Sequence, residues 1–179
     1  ASKVKDLLQE SVEKEGYIFK GLFSKRSGKR KEGVRDRLNI EDVKEELREM
    51  GYYPTHGNRY STLKFYYADA YYEVRYEDSW LDVRMYLVYD DLSELEICKK
   101  ASEKVHNQLG FVKSAVGFQE DGSFYVLLKC DAFISSLKEF KKFFPWYFKE
   151  VKESYWWYIK YRNEIRKEIA DGQTSLTEN

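Results

Sequence analysis

Val4, Leu7, Leu8 and Val12 recur at helical spacing and predict an amphipathic helix over residues 2–15, closed by Gly16. A second stripe, Ile40, Val43, Leu47 and Met50, follows Asn39. Asn39 suits an N-cap, with Asp42 at the third helical position of a capping box, and Gly51 closes the helix. Pro54 and the His56-Gly57-Asn58 cluster predict a loop.

From Thr62 to Tyr89 the period changes to two. Leu63, Phe65 and Tyr67 alternate with Thr62, Lys64 and Tyr66. Tyr72, Val74 and Tyr76 alternate with Tyr71, Glu73 and Arg75, and the residues from Leu81 to Tyr89 repeat the pattern around Asp82, Arg84 and Tyr86. Ala68-Asp69-Ala70 and Glu77-Asp78-Ser79 are short enough for hairpin turns, so a three-strand meander is expected.

Leu95, Cys98, Ala101, Val105 and Leu109 then mark a helix ended by Gly110. Val112 to Phe118 and Phe124 to Cys130 predict two further strands around an Asp121-Gly122 turn. Helical spacing returns at Ser135, and Pro145 is expected to start or kink a second helical segment running to about Ala170. The polar residues 171–179 are expected to form a disordered tail. The predicted order is α-α-βββ-α-ββ-α. This is an α+β domain over residues 39–170, an antiparallel sheet of a meander plus a hairpin with helices on one face. Residues 1–38 precede it as a helix and basic-loop extension.

The 179 residues suit one ordinary domain. Aromatic residues reach 17%, far from the aromatic-poor composition of disordered chains, so the chain should fold. Basic and acidic residues balance at 31 each, which argues against a uniformly basic nucleic-acid binder. The balance conceals segregation. Residues 20–37 carry eight basic side chains against two acidic ones, whereas the stretch from 38 to 134 is predominantly acidic. The basic stretch is either a solvated linker or a phosphate-contacting arm built on Lys25, Arg26, Lys29, Arg30 and Lys31.

Little in the sequence points to catalysis. Two cysteines, Cys98 and Cys130, lie in apolar-periodic segments and suit a core. The two histidines, His56 and His106, are far apart, and no metal-ligand spacing, Gly-rich phosphate loop or nucleophile elbow is present. The expectation is a non-enzymatic protein with no catalytic residues, no metal and no cofactor. No apolar run is long enough for a membrane span and no charged-then-apolar leader opens the chain; with two cysteines, too few for a disulfide framework, a reducing compartment is favoured and a cytoplasmic protein is expected.

Aromatic residues are the informative excess. Tyr66, Tyr71 and Tyr86 fall on the polar face of the meander, where a core does not require them. They suit contact with another polypeptide, base stacking, or an ordinary strand surface. On the last helix, Phe148, Val151, Tyr155, Ile159, Arg162, Ile165 and Ile169 trace one face, with Trp146, Trp157 and Tyr161 away from it. Such a helix must bury more than one side. It can do so against the first helix or in a homodimer anchored by Trp156 and Trp157.

The segment from Asn39 to about Lys160 resembles the type III secretion chaperone-like fold and, within it, the YbjN-like family of candidate bacterial sensory transduction regulators. The resemblance rests on five features of the sequence. The helix NIEDVKEELREMGYYP precedes the meander TLKFYYADAYYEVRYEDSWLDVRMYLVYD. The helix ELEICKKASEKVHNQLG and the hairpin FVKSAVGFQEDGSFYVLLKCD come next, before a closing amphipathic helix. It implies a non-enzymatic, often dimeric protein that binds another polypeptide. The expected function is chaperone-like or regulatory recognition of a partner through the aromatic sheet face and the C-terminal helix. The alternative is a nucleic-acid-associated accessory protein acting through the basic 20–37 loop.

Overall fold

Asn39 fixes where the first described helix begins. Its side chain accepts hydrogen bonds from the backbone amides of Glu41 (2.9 Å) and Asp42 (3.1 Å), and its own amide donates to the Asp42 carboxylate. This is the predicted capping box, and it opens α1 (Ile40–Glu49). The computed structural model describes residues 38–177, with side chains as far as Asp171. The predicted helix over 2–15 and the basic stretch 20–37 lie outside the described residues.

Six strands follow in one antiparallel sheet: β1 (Thr55–His56), β2 (Thr62–Tyr67), β3 (Ala70–Glu77), β4 (Trp80–Tyr89), β5 (Lys113–Phe118) and β6 (Phe124–Phe133). Their spatial order is β1-β2-β3-β4-β6-β5. The meander turns are two-residue turns in which both central residues have positive φ: Ala68 (48°) with Asp69 (61°), and Asp78 (50°) with Ser79 (67°). That backbone sense matches the twist of the flanking strands. Gly122, at φ 87°, takes the left-handed position of the β5–β6 turn. β1 is an addition to the predicted meander plus hairpin. Two residues within the expected loop pair with Leu63 and Lys64 of β2.

Between the meander and the hairpin lies α2 (Leu95–Gln108), entered through a short 3-10 turn whose cap, Asp91, accepts from the Ser93 amide. The last element is α3 (Leu137–Thr177). Pro145 lies inside this one continuous helix rather than dividing two, and the helix runs past the expected end at Ala170. At its start the Ser135 amide and hydroxyl both donate to the Glu139 carboxylate at 2.8 Å.

The helices pack on one face of the sheet, as the alternation requires. The inner face presents Leu63, Phe65, Tyr72, Val74, Leu81, Val83, Met85, Val126, Leu128 and Cys130, all buried. Phe140, Phe144, Phe148, Val151, Tyr158 and Ile165 of α3 meet it. Phe148 is the hub, its ring 4.8–5.8 Å from those of Tyr52, Phe65, Tyr67, Tyr72 and Phe144. Tyr161, placed off the apolar stripe by sequence, is buried and hydrogen-bonded to Gln108 of α2, while Ile169 is substantially exposed. The reason is helical phase: spacing that passes through Phe144, Phe148, Val151, Tyr158 and Ile165 brings Tyr161 inward. Glu94 ties α3 to the start of α2 by receiving Arg162 (2.8 Å) and Arg166 (2.6 Å). Desolvation pushes the Glu94 carboxyl upward, but these two guanidinium groups outweigh it and hold it below its ordinary value.

Candidate functional site: the open face of the sheet

Every second residue of β2, β3, β4 and β6 faces away from the helices; no described helix or strand covers them, and the 57–61 loop folds over Thr62 at one end. One row across this outer face is aromatic. Tyr66 lies opposite Tyr71, and Tyr71 opposite Tyr86. Their ring centroids are 5.4 and 6.0 Å apart. Tyr86 then meets Tyr125 of β6 diagonally at 5.4 Å. The row ends over Gly117, the register partner of Tyr125, where a side chain would collide with the Tyr125 ring. Four tyrosines thus cross four neighbouring strands, and a glycine on the fifth leaves room for the last ring.

Beside this row lies a mosaic of charge. The Tyr86 hydroxyl donates to the Glu73 carboxylate (3.0 Å) and accepts from Arg84 (3.3 Å) and Arg75 (3.5 Å). Arg75 bonds Glu73 at 2.9 Å, and Arg84 bonds Asp82. Lys129 reaches both Asp82 (3.6 Å) and Asp131 (3.4 Å), and Lys113 extends the chain to Asp131 at 2.9 Å. Burial raises the Tyr71 and Tyr86 hydroxyls above the ordinary phenol value, with the neighbouring Glu73 carboxylate acting in the same direction. Desolvation lowers the basicity of Arg84, but its bonds to Asp82 and Tyr86 more than compensate. Desolvation raises the Asp131 carboxyl, yet the Lys113 bond and the nearby Lys129 charge hold it below its ordinary value. Tyr71 and Tyr86 therefore keep their protons at neutral pH, and the charge lattice fixes the orientation of the Tyr86 hydroxyl.

Tyr66, Tyr71 and Tyr86, singled out from the alternation, thus come together in one row. Trp156 and Trp157 do not join them. They project from α3, which packs on the inner face, and Trp156 is 71% exposed on the side away from the sheet. Trp157 is partly covered, with the Lys160 ammonium 4.9 Å from its ring. The five residues therefore form two surfaces on opposite sides of the two-layer domain. Lys25, Arg26, Lys29, Arg30 and Lys31 lie outside the described residues. Alternation alone did not add Tyr125 to the row, because its place depends on β6 rather than β5 lying beside β4.

At one end of the outer face is a polar depression of about 220 Å³ lined by Asn58, Arg59, Thr62, Lys64, Glu73 and Arg75. Among the described residues, no group of three or more His, Cys, Asp or Glu could hold a metal ion. No described helix is long and apolar enough to cross a membrane.

No family model matches the chain, and no curated protein does. Solved structures do. YbjN from E. coli, described as a candidate transcription regulator, matches with a TM-score of 0.55 at 12% identity, covering 72% of this chain and 94% of that one. An uncharacterized protein from Methanothermobacter thermautotrophicus matches at 0.49 and 16% identity, over 71% of this chain and 98% of its own. An antiparallel six-stranded sheet with its helices on one face, matched to YbjN across nearly all of that protein, gives this chain a YbjN-like fold.

Proposed function

We propose that the chain is a non-enzymatic, cytoplasmic binding module that recognises a partner polypeptide on the open face of its sheet, in a chaperone-like or regulatory role. The observation that carries this reading is the row Tyr66-Tyr71-Tyr86-Tyr125, a partly exposed aromatic strip in which the Tyr86 hydroxyl is tethered to a charge lattice. Tyrosine supplies broad apolar area with a polar tip at low entropic cost, the combination enriched in protein interfaces. The likeness to YbjN, a candidate regulator, supports a regulatory role. The solvent side of α3, with Trp156, offers a separate surface for a second copy of the chain.

The test is capture of partners from source lysate by the tagged full chain, with and without nuclease. A stoichiometric polypeptide should be retained by the wild type and by the Lys29→Gln/Arg30→Gln/Lys31→Gln variant, and lost by Tyr66→Ser/Tyr71→Ser with unchanged circular dichroism. Recovery abolished by nuclease would instead support the nucleic-acid reading of the basic loop. Trp156→Ala should leave partner capture intact and convert any dimer to monomer in sedimentation. A dimer that survives the substitution rejects α3 as its interface.

A further inference from the structure

The polar depression at the β1–β2 end of the outer face contains a group that the fold leaves unused. Thr62 faces outward in register with Arg75, yet it is only 2% exposed because the loop from Gly57 to Ser61 folds over it. The Gly57 amide donates to the Thr62 carbonyl (2.9 Å), and the Thr62 amide donates to the Arg59 carbonyl (3.0 Å). The close approach explains the glycine. A Cβ at position 57 would stand 2.8 Å from Lys64 Cε and 3.0 Å from Thr62 Cγ2. Beneath this roof the Thr62 hydroxyl is buried with no hydrogen-bond partner, a destabilising state for a polar group.

Its surroundings are cationic. Arg59, Lys64 and Arg75 line the depression against the single carboxylate of Glu73, an excess of two positive charges. Arg75 is held by Glu73 at 2.9 Å. Among the described residues neither Arg59 nor Lys64 has an ion-pair partner. The Asn58 amide completes the lining. Tyr66 lies two residues along β2 from Lys64 on the same face, about 7 Å away, and Tyr71 stands opposite it.

From this arrangement we infer that the depression is a phosphomonoester site, in which Arg59, Lys64 and Arg75 neutralise a dianionic phosphoryl group. The Thr62 hydroxyl donates to one of its oxygens once the flexible Lys64 stem swings from beneath the loop. Charge selects the ligand. A phosphomonoester carries close to two negative charges at neutral pH, matching the excess in the depression, whereas a nucleic-acid phosphodiester carries one. The tyrosines beside it supply a platform for the residue bearing the phosphate, so the occupant is a phosphorylated residue of an extended polypeptide. This assignment of a source rests on the polypeptide-binding reading above; the anion site is tested independently of it.

The experiment is amide and arginine side-chain NMR of the full chain titrated with inorganic phosphate, phenyl phosphate and dimethyl phosphate at fixed ionic strength. Saturable shifts at Arg59, Thr62, Lys64 and Arg75 are expected with the first two. Phenyl phosphate should bind more tightly by using Tyr66, and dimethyl phosphate about tenfold more weakly. Lys64→Gln and Arg59→Gln should each weaken phosphate about tenfold without changing the spectrum elsewhere. Thr62→Val separates the roles of the hydroxyl, because it should weaken phosphate while raising the melting temperature of the free protein. No saturable shift, or equal affinity in Lys64→Gln and wild type, overturns the site, leaving the capture experiment to judge the polypeptide reading by itself. Dimethyl phosphate binding as tightly as phenyl phosphate also overturns it, in favour of a diester backbone. Saturable phosphate binding with partner capture that survives phosphatase treatment of the lysate rejects the phosphorylated polypeptide as its source.

Discussion

The two faces of the sheet are made by the same strands and obey different rules. Inward, Leu63, Val74, Val83, Val126 and Leu128 are fully buried and meet Phe144, Phe148 and Val151 of α3. Outward, the alternating neighbours are Tyr66, Tyr71, Tyr86 and Tyr125 with a lattice of arginine, lysine, aspartate and glutamate. The inner face contributes through apolar area removed from water and close packing, which depend on volume. The outer face contributes through paired charges and hydroxyls, which depend on geometry, with Glu73 and Asp82 buried beneath their cationic partners. Neighbouring residues on one strand can thus be assigned to the packed or the outer face by their parity.

The sharpest contrast should come from Phe148. Replacing it with alanine empties the point where five rings converge and should cost about 3–5 kcal/mol in urea unfolding. A loss below about 1 kcal/mol would show that the aromatic cluster is not the centre of the core. On the outer face Gly117→Ala should cost about 1–3 kcal/mol, because the new methyl displaces the Tyr125 ring. The ring resonances of Tyr125 and Tyr86 should move together, and an unchanged Tyr125 would show that the row does not end there. Least costly is Tyr71→Ser, which interrupts the row but leaves the core untouched. About 0.5–1.5 kcal/mol is expected, and a loss as large as that of Phe148→Ala would erase the distinction between the faces.

Much of this distinction is legible in the chain itself. Period-two alternation from Thr62 to Tyr89 specifies three strands, their faces and the outward tyrosines, since successive side chains must oppose each other. The Asn39–Asp42 box and Gly51 bound α1 because capping is local chemistry. What escaped depends on partners distant in sequence. Thr55–His56 is too short to show a period and becomes a strand only by pairing with β2. Tyr125 joins the row because β6, not β5, lies beside β4. Thr62 reads as an ordinary outward strand residue, and only the fold of the 57–61 loop buries its hydroxyl. Pro145 suggested a division of the last helix, yet α3 tolerates it within a long helix whose packing against the sheet offsets one missing backbone bond.

The pairing of β4 with β6 also bears on how the molecule assembles. The meander and the β5–β6 hairpin close over short turns, whereas their junction must bring Phe124 back to Tyr89 across the whole excursion through α2. Closure entropy rises only slowly with chain length, so lengthening that excursion changes equilibrium stability little. Contacts of large sequence separation nevertheless slow the search for the native state. The seam between β4 and β6 is thus the place where two locally closed pieces become one sheet, and a lengthened excursion through α2 is expected to slow refolding while leaving equilibrium stability nearly unchanged.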